Sequence, residues 1–390
     1  MKNAPHADGG LRGGAAALLG YCKENGWAGY DPYDALNSAL FCATPFYKSR
    51  MCRIALTQAL KRLPVNLRPL LGVRREQNPK ALALFLSAAL KLGKQGVPGQ
   101  DDNARYMVDR LDALRSPGLP YWCWGYSFPW QGRSMLVPKW APNLVCTVFV
   151  AGALLDAHEE TKDPRCLEMA LSAARYVLNE LYWEGGGEAG FCYPLPTLRS
   201  KVHNANFLGA ALFCRIYNKT GMDEFLAPAM KAARYSARRQ GADGMWAYGE
   251  SAKQGWADNF HTGYNLCALR DVGRYAGTDE FEENVRLGFK FYVERFFRED
   301  GAPRYFHDRT YPVDVHSVAQ AIITLTKLRA EAAQSAGLAK SVLGYAMDNM
   351  RDPEGYFYYR VHPAFKNRIS YMRWSQAWML LALATLMEAE

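Results

Sequence analysis

The feature that most constrains this sequence is an internal repeat. Ala173-Ala174-Arg175-Tyr176 returns 59 residues later as Ala232-Ala233-Arg234-Tyr235, and Asp223-Glu224-Phe225 returns 56 residues later as Asp279-Glu280-Phe281. A glycine followed by aromatic residues stands at Gly190, Gly244, Gly301 and Gly355, with spacings of 54, 57 and 54. Independent markers that keep one period describe a series of like units, each long enough for two helices and their loops.

The two helices of a unit differ in character. Over 165–182, Leu167, Leu171, Ala174, Leu178 and Leu181 follow steps of four and three, the signature of a helix with one apolar face. Phe281, Val285, Phe289, Tyr292 and Phe296 repeat that pattern in 280–297. The segments 143–157, 206–217 and 374–387 are apolar nearly all round, and a helix without a polar face belongs inside. Outer helices are predicted near 11–24, 103–115, 165–182, 223–239, 279–297 and 338–350. Inner helices are predicted near 79–93, 143–158, 204–218, 260–275, 315–329 and 373–388. Six pairs close a ring, whereas an open solenoid would need capping units. The expectation is an all-α (α/α)6 toroid, a single domain over 1–390 with an irregular N-terminal unit in 1–100 that holds an extra helix near 50–63.

Composition bounds the setting. A chain of 390 residues with 49% hydrophobic content can bury a large core. A net charge of +9 favours an anionic partner, but the basic residues look scattered, so nucleic acid is not expected. The N-terminus lacks the pattern of a signal peptide, and no apolar run is long enough to span a membrane. The nine cysteines form no CxxC pair, and Cys146, Cys214 and Cys267 sit in apolar runs as small hydrophobes. A reducing, cytoplasmic setting is expected.

Loop lengths select the working end. Connections from inner to outer helices are short (219–222, 276–278), and those from outer to inner are long (26–78, 116–142, 183–203, 240–259, 298–314, 351–372). The long loops all leave one rim of the ring, where a functional site is expected. They are rich in aromatic rings beside polar groups, a combination that suits sugars. Phe191, Trp246, Tyr305 and Phe357 hold the repeated position and read as plugs between units. Trp124, Trp130, Trp140 and Trp256 break the repeat and read as ligand contacts.

Inner helices begin with chemistry-bearing residues. His203, His261 and His316 are offset by 58 and 55, beside Asn204, Asn206, Asp258, Asn259 and Asp314. Asn143 and the run Arg373-Trp374-Ser375-Gln376 hold the corresponding place in other units. Capping explains Asn and Asp at a helix start but does not call for His. Ligand spacing for a metal is absent, so neither metal nor cofactor is expected. In the first long loop, Asp31 and Asp34 lie with Tyr30 and Tyr33; they read as an acid/base pair, as a sugar-gripping aspartate, or as a cap on a short helix.

The run Gly29-Tyr30-Asp31-Pro32-Tyr33-Asp34-Ala35-Leu36-Asn37-Ser38, the six hairpins and the run Arg373-Trp374-Ser375-Gln376-Ala377-Trp378 resemble a group of bacterial exopolysaccharide-biosynthesis proteins. That group is similar to the six-hairpin glycosidase superfamily and, more distantly, to the helical domain of glucuronyl C5-epimerases. The resemblance implies a glycan or lipid-linked oligosaccharide as partner, and contact with membrane-bound polysaccharide machinery. The expected activity is epimerisation, elimination or hydrolysis of an acidic glycan. In the first two, a base removes the proton beside a uronate carboxylate while cations steady the enolate. His261, His203 and Tyr30 are the acid or base candidates, and Arg133, Lys139 and Arg373 the carboxylate clamps. Hydrolysis would use Asp34, Asp258 and Glu250, although no pair of carboxylates stands out. Further substrate contacts are expected from Asp31, Asn143, Asn204, Tyr264, Asp314, His316, Trp374 and Gln376. The alternative is a catalytically silent glycan-binding or assembly subunit.

Overall fold

The computed structural model describes residues 7–132, 135–332 and 334–390. The helices are α1 (Ala7–Glu24), α2 (Ala39–Cys42), α3 (Arg50–Arg62), α4 (Pro79–Lys94), α5 (Gln100–Ala113), α6 (Leu144–Thr161) and α7 (Pro164–Tyr176). They continue as α8 (His203–Thr220), α9 (Leu226–Ala237), α10 (Asn259–Ala276), α11 (Glu282–Arg295), α12 (Val315–Lys327), α13 (Ser335–Asn349) and α14 (Trp378–Ala389). The even-numbered helices from α4 onward form the inner layer. Each packs on the next, and α14 closes on α4. The outer helices α5, α7, α9, α11 and α13 each cover the inner helix before them, and α1 takes that place on α14. The chain is an (α/α)6 toroid.

The layers follow from side-chain character. In α6, Leu144, Cys146, Val150, Ala151 and Leu154 have no exposure, because both faces meet other helices. In the outer layer, the small Ala173 and Ala174 of α7 and Ala232 and Ala233 of α9 are fully buried and let the two layers approach. Asn78, Asn143, Asp258 and Asp314 cap α4, α6, α10 and α12 by accepting from backbone N–H groups, as helix starts require.

The repeated glycine explains the ring's register. Gly244 has φ +88°, and a Cβ there would lie 2.3 Å from the Leu287 carbonyl on α11, the next outer helix. Gly355 has φ +93°, and its Cβ would lie 2.9 Å from the Ala17 carbonyl on α1. Only glycine fits so close to a neighbouring backbone. The last unit therefore meets the first through the contact that joins internal units.

The rim loops carry small antiparallel pairs: β1 (Trp130–Gln131) with β2 (Leu136–Val137), and β3 (Tyr182–Gly185) with β4 (Glu188–Phe191). A third sheet joins β5 (Val313–Asp314), β6 (Arg360–Val361) and β7 (Lys366–Asn367). Two predicted helices start irregularly. A 3-10 turn, Asp223–Phe225, precedes α9, and a π turn, Met372–Ala377, precedes α14. No described helix is long and apolar enough to cross a membrane.

Candidate active site

At the start of α10, Asp258 does two things. One oxygen caps the helix by accepting from the His261 backbone N–H at 2.8 Å, and the carboxylate also lies 2.8 Å from the His261 Nδ1. The Nδ1–H then donates to the carboxylate, and the lone pair falls on Nε2. The His261 side chain is 21% exposed while Asp258 is buried, so the ring is the accessible half of the pair. Tyr248 lies 4.8 Å from it, edge on, and Trp256 stacks on Tyr248 at 4.4 Å.

A second histidine faces the same aromatic layer. The Tyr264 hydroxyl lies 2.6 Å from His316 Nε2, and the Tyr264 ring is 5.9 Å from both His261 and His316. Phe260, Trp374 and Trp378 enclose the His316 ring at 4.5, 4.5 and 4.6 Å. Burial drives the His316 pKa well below the ordinary value, and the charges of Lys80 and Arg373 add to this, so the ring is neutral. Lys80, at the start of α4, has its ammonium 4.1 Å from the Phe149 ring and 5.2 Å from the Trp378 ring. No described carboxylate pairs with it, and burial lowers its pKa well below that of a free lysine.

The predicted carboxylates are already engaged. Asp31 takes a bidentate pair from Arg373 at 2.7 and 2.8 Å, with both side chains buried. Asp34 accepts from Arg68 Nε at 2.6 Å and from the Asp31 N–H at 2.9 Å. Burial pushes the Asp34 carboxyl up to about 6, although Arg68 pulls the other way. Asp314 holds Arg360 at 2.6 Å and the Trp374 indole N–H at 2.9 Å. Lys139 is likewise held by Glu76, at 2.7 Å. Arg373 and Lys139, expected as free clamps, therefore have resident counter-ions, and Arg133 lies outside the described residues.

Several expected residues stand elsewhere. His203 turns between the layers, its Nδ1 3.1 Å from Ser236 Oγ on α9, and burial lowers its pKa to about 4. Glu250 accepts from the Tyr235 hydroxyl at 2.6 Å and from Arg239 at 3.2 Å, in an ion cluster beside His203. Tyr30 borders a small cavity with Asp31, Asp34 and Arg373, and also a cleft of about 460 Å³ with Arg75 and Arg368. Trp124 has no exposure and donates its indole N–H to the Leu111 carbonyl on α5 at 2.8 Å. Trp246 does the same to the Ser236 carbonyl on α9, so Trp124 is the plug of its own unit and not a ligand contact. Gln376 has both amide ends on the backbone of the plug residue Phe357, as Asn206 holds Phe191. Asn143 and Asn204 are buried, and each keeps an unpartnered amide atom among the described residues. Trp130 and Trp140 are half-buried in the long loop before α6.

The residues that do gather around the axis are Asp258, His261, Tyr264, His316, Trp256, Trp374, Asp31 and Arg373. Sequence reasoning missed Lys80, Tyr126 and Tyr193. Burial pushes the Tyr193 hydroxyl up to about 12, with Arg373 acting against it and Tyr33 with it. Tyr248 is raised further, and Tyr193, Asp258 and Tyr33 add to the effect of its burial. Tyr33, Tyr193 and Tyr248, all half-buried, are thus near enough for their charges to act on one another, and this aromatic region around the part-exposed His261 ring is the chamber. The position of Lys80 directly after the Asn78-Pro79 helix start was the one available signal.

No protein-family model matches the sequence, and no curated protein matches it. The toroid itself places the chain among solved structures of one architecture. A UGL (unsaturated glucuronyl hydrolase) variant with dGlcA-Glc-Rha-Glc is similar at a TM-score of 0.63 and 14% identity, over 96% of this chain and 95% of that one. A sugar epimerase from a ruminal bacterium is similar at 0.61 and 13%, over 80% and 90%. A GH76 α-mannanase from Bacteroides thetaiotaomicron is similar at 0.60 and 12%, over 79% and 85%. At these identities the shared property is the fold.

Proposed function

We propose that the chain is a carbohydrate-active enzyme that moves a proton at a sugar carbon next to a carbonyl or carboxylate, as an epimerase or lyase does. The observation that carries this is the Asp258–His261 dyad opening on the aromatic chamber. Asp258 orients the ring and would stabilise the imidazolium formed when Nε2 accepts a proton from carbon. The Tyr264–His316 pair, beside the same ring, is suited to donate a proton to the developing enolate or to the opposite face. Two-carboxylate hydrolysis has less support, because Asp31, Asp34 and Asp314 hold arginines and Asp258 holds His261.

An acidic glycan suits the site through Lys80. A buried amine without a described carboxylate partner would gain one as a substrate carboxylate arrived, which opposes the burial that lowers its pKa. A role in exopolysaccharide synthesis rests on the resemblance carried by Gly29–Ser38 and Arg373–Trp378.

The test is proton exchange in deuterated water with reducing-end and uronate oligosaccharides, followed by NMR. The parent protein is expected to place deuterium at the carbon beside the carbonyl or carboxylate. His261→Gln and Asp258→Asn are expected to slow exchange by about 10²–10⁴-fold. Release of new reducing ends without exchange would replace this reading with hydrolysis. Binding with no conversion of any kind would leave a glycan-binding subunit.

A further inference from the structure

The basic residues are not evenly scattered. Between Asp34 and Glu76 the chain carries eight Lys or Arg and no Asp or Glu, against a net charge of +9 for all 390 residues. Arg68 is buried on Asp34, but Lys48, Arg50, Arg62, Arg74 and Arg75 are exposed. None of those five has a carboxylate partner among the described residues. The same stretch holds six of the ten exposed large hydrophobic side chains among the described residues: Leu40, Phe46, Met51, Leu63, Val65 and Leu70, each 40–76% exposed.

These groups belong to one surface. The backbone bond from the Ala39 N–H to the Gly72 carbonyl brings Leu40 beside the Leu70 segment. Helix α3 buries Thr57 and Leu60 and shows Met51, Ala55, Ala59 and Arg62 to solvent, one stripe at helical spacing. Asn367 donates to the Leu63 carbonyl at 3.0 Å, which adds the neighbouring turn with exposed Phe365 and Arg368. Two contacts tie the surface to the chamber rim: Arg53 Nε donates to Gln131 at 2.7 Å, and Lys61 donates to the Tyr33 hydroxyl at 2.6 Å.

We propose that residues 39–75, with the turn at Phe365, form a docking surface for an anionic lipid bilayer. Aliphatic and aromatic side chains interleaved with cations, and no acid among them, complement a headgroup layer that is negative outside and apolar beneath. Nucleic-acid surfaces do not call for exposed Leu, Val and Met, and a protein partner would be expected to meet some of these cations with acids of its own rather than with lipid headgroups. The inference is independent of the reaction proposed for the chamber.

The test is co-sedimentation of the whole protein with phosphatidylglycerol-containing vesicles and with pure phosphatidylcholine vesicles, at about 0.1 M salt. Binding is expected only to the anionic vesicles. Both the triple change Phe46→Glu, Met51→Glu, Leu70→Glu and the pair Arg50→Glu, Arg62→Glu are expected to weaken it ten-fold or more. Melting temperature is expected to hold in both variants, since none of the five side chains is buried. No binding to anionic vesicles, or full binding by the apolar variant, would overturn the proposal; the latter, with equal capture by heparin, would indicate a soluble polyanion. A dimer that Phe46→Glu disperses would instead assign the surface to a second copy of the chain.

Discussion

At the residue scale, the distinction between working and supporting groups lies in what each side chain already holds. Asp31 and Arg373 neutralise each other out of water, and removing one leaves the other buried and uncompensated. Asp31→Asn is therefore expected to cost about 3–5 kcal/mol of stability, read from urea unfolding. Trp124→Ala should cost about 3–5 kcal/mol through the cavity left behind, with glycan affinity per folded molecule unchanged. His261 is different. Its ring is part-exposed and, among the described residues, its side chain bonds to Asp258 alone, so His261→Gln should unfold within a few degrees of the parent while losing proton exchange. The repeat offsets of 58 and 55 pointed to His261 and His316, and Asp258 falls where a helix cap must lie. It could not show that Asp31 pairs with Arg373 across 342 residues, since a long-range ion pair leaves no local pattern. Nor could it show that His203 faces Ser236, because that depends on which side of α8 meets α9.

At the element scale, the helices were legible and the loops were not. Apolar periodicity separated the two layers, and each predicted helix lies within a few residues of one observed. The plug of the α5–α6 unit escaped notice because Gly125 follows Trp124, whereas in other units the glycine precedes the ring. Gly125 is still a close-approach position, since a Cβ there would lie 2.2 Å from the Ala141 carbonyl. The glycine contacts make a further expectation. Gly355→Ala should be strongly destabilising, because φ is +93° and the α1 backbone lies against it, while Gly337→Ala on α13 meets open space and should be neutral or slightly stabilising. Thermal unfolding of the two variants side by side measures the difference.

At the scale of the whole molecule, the buried histidines make stability depend on pH. A His whose folded pKa is depressed binds fewer protons folded than unfolded, so its support is complete above the unfolded value near 6.5 and is lost as pH falls toward the folded one. For His203, held down to about 4 by burial, the loss amounts to about 3 kcal/mol across that window, and His316 acts in the same direction. The raised carboxyl of Asp34 acts in the opposite direction between about pH 6 and 4, so the test is a difference: from pH 6.5 to 4 the urea midpoint of His203→Gln is expected to fall less, or rise more, than that of the parent. Closure of the ring has a consequence of its own during synthesis. The helix that completes the inner circle, α14, follows the turn that delivers Arg373 and Trp374 to the chamber, and both are made after the other five inner helices. Until then α4 and α1 lack a partner along a full helix face, and Asp31 waits with its charge unanswered. The chain therefore keeps that helix face open until its sixth inner helix is made, and ring closure and the counter-ion of Asp31 arrive together.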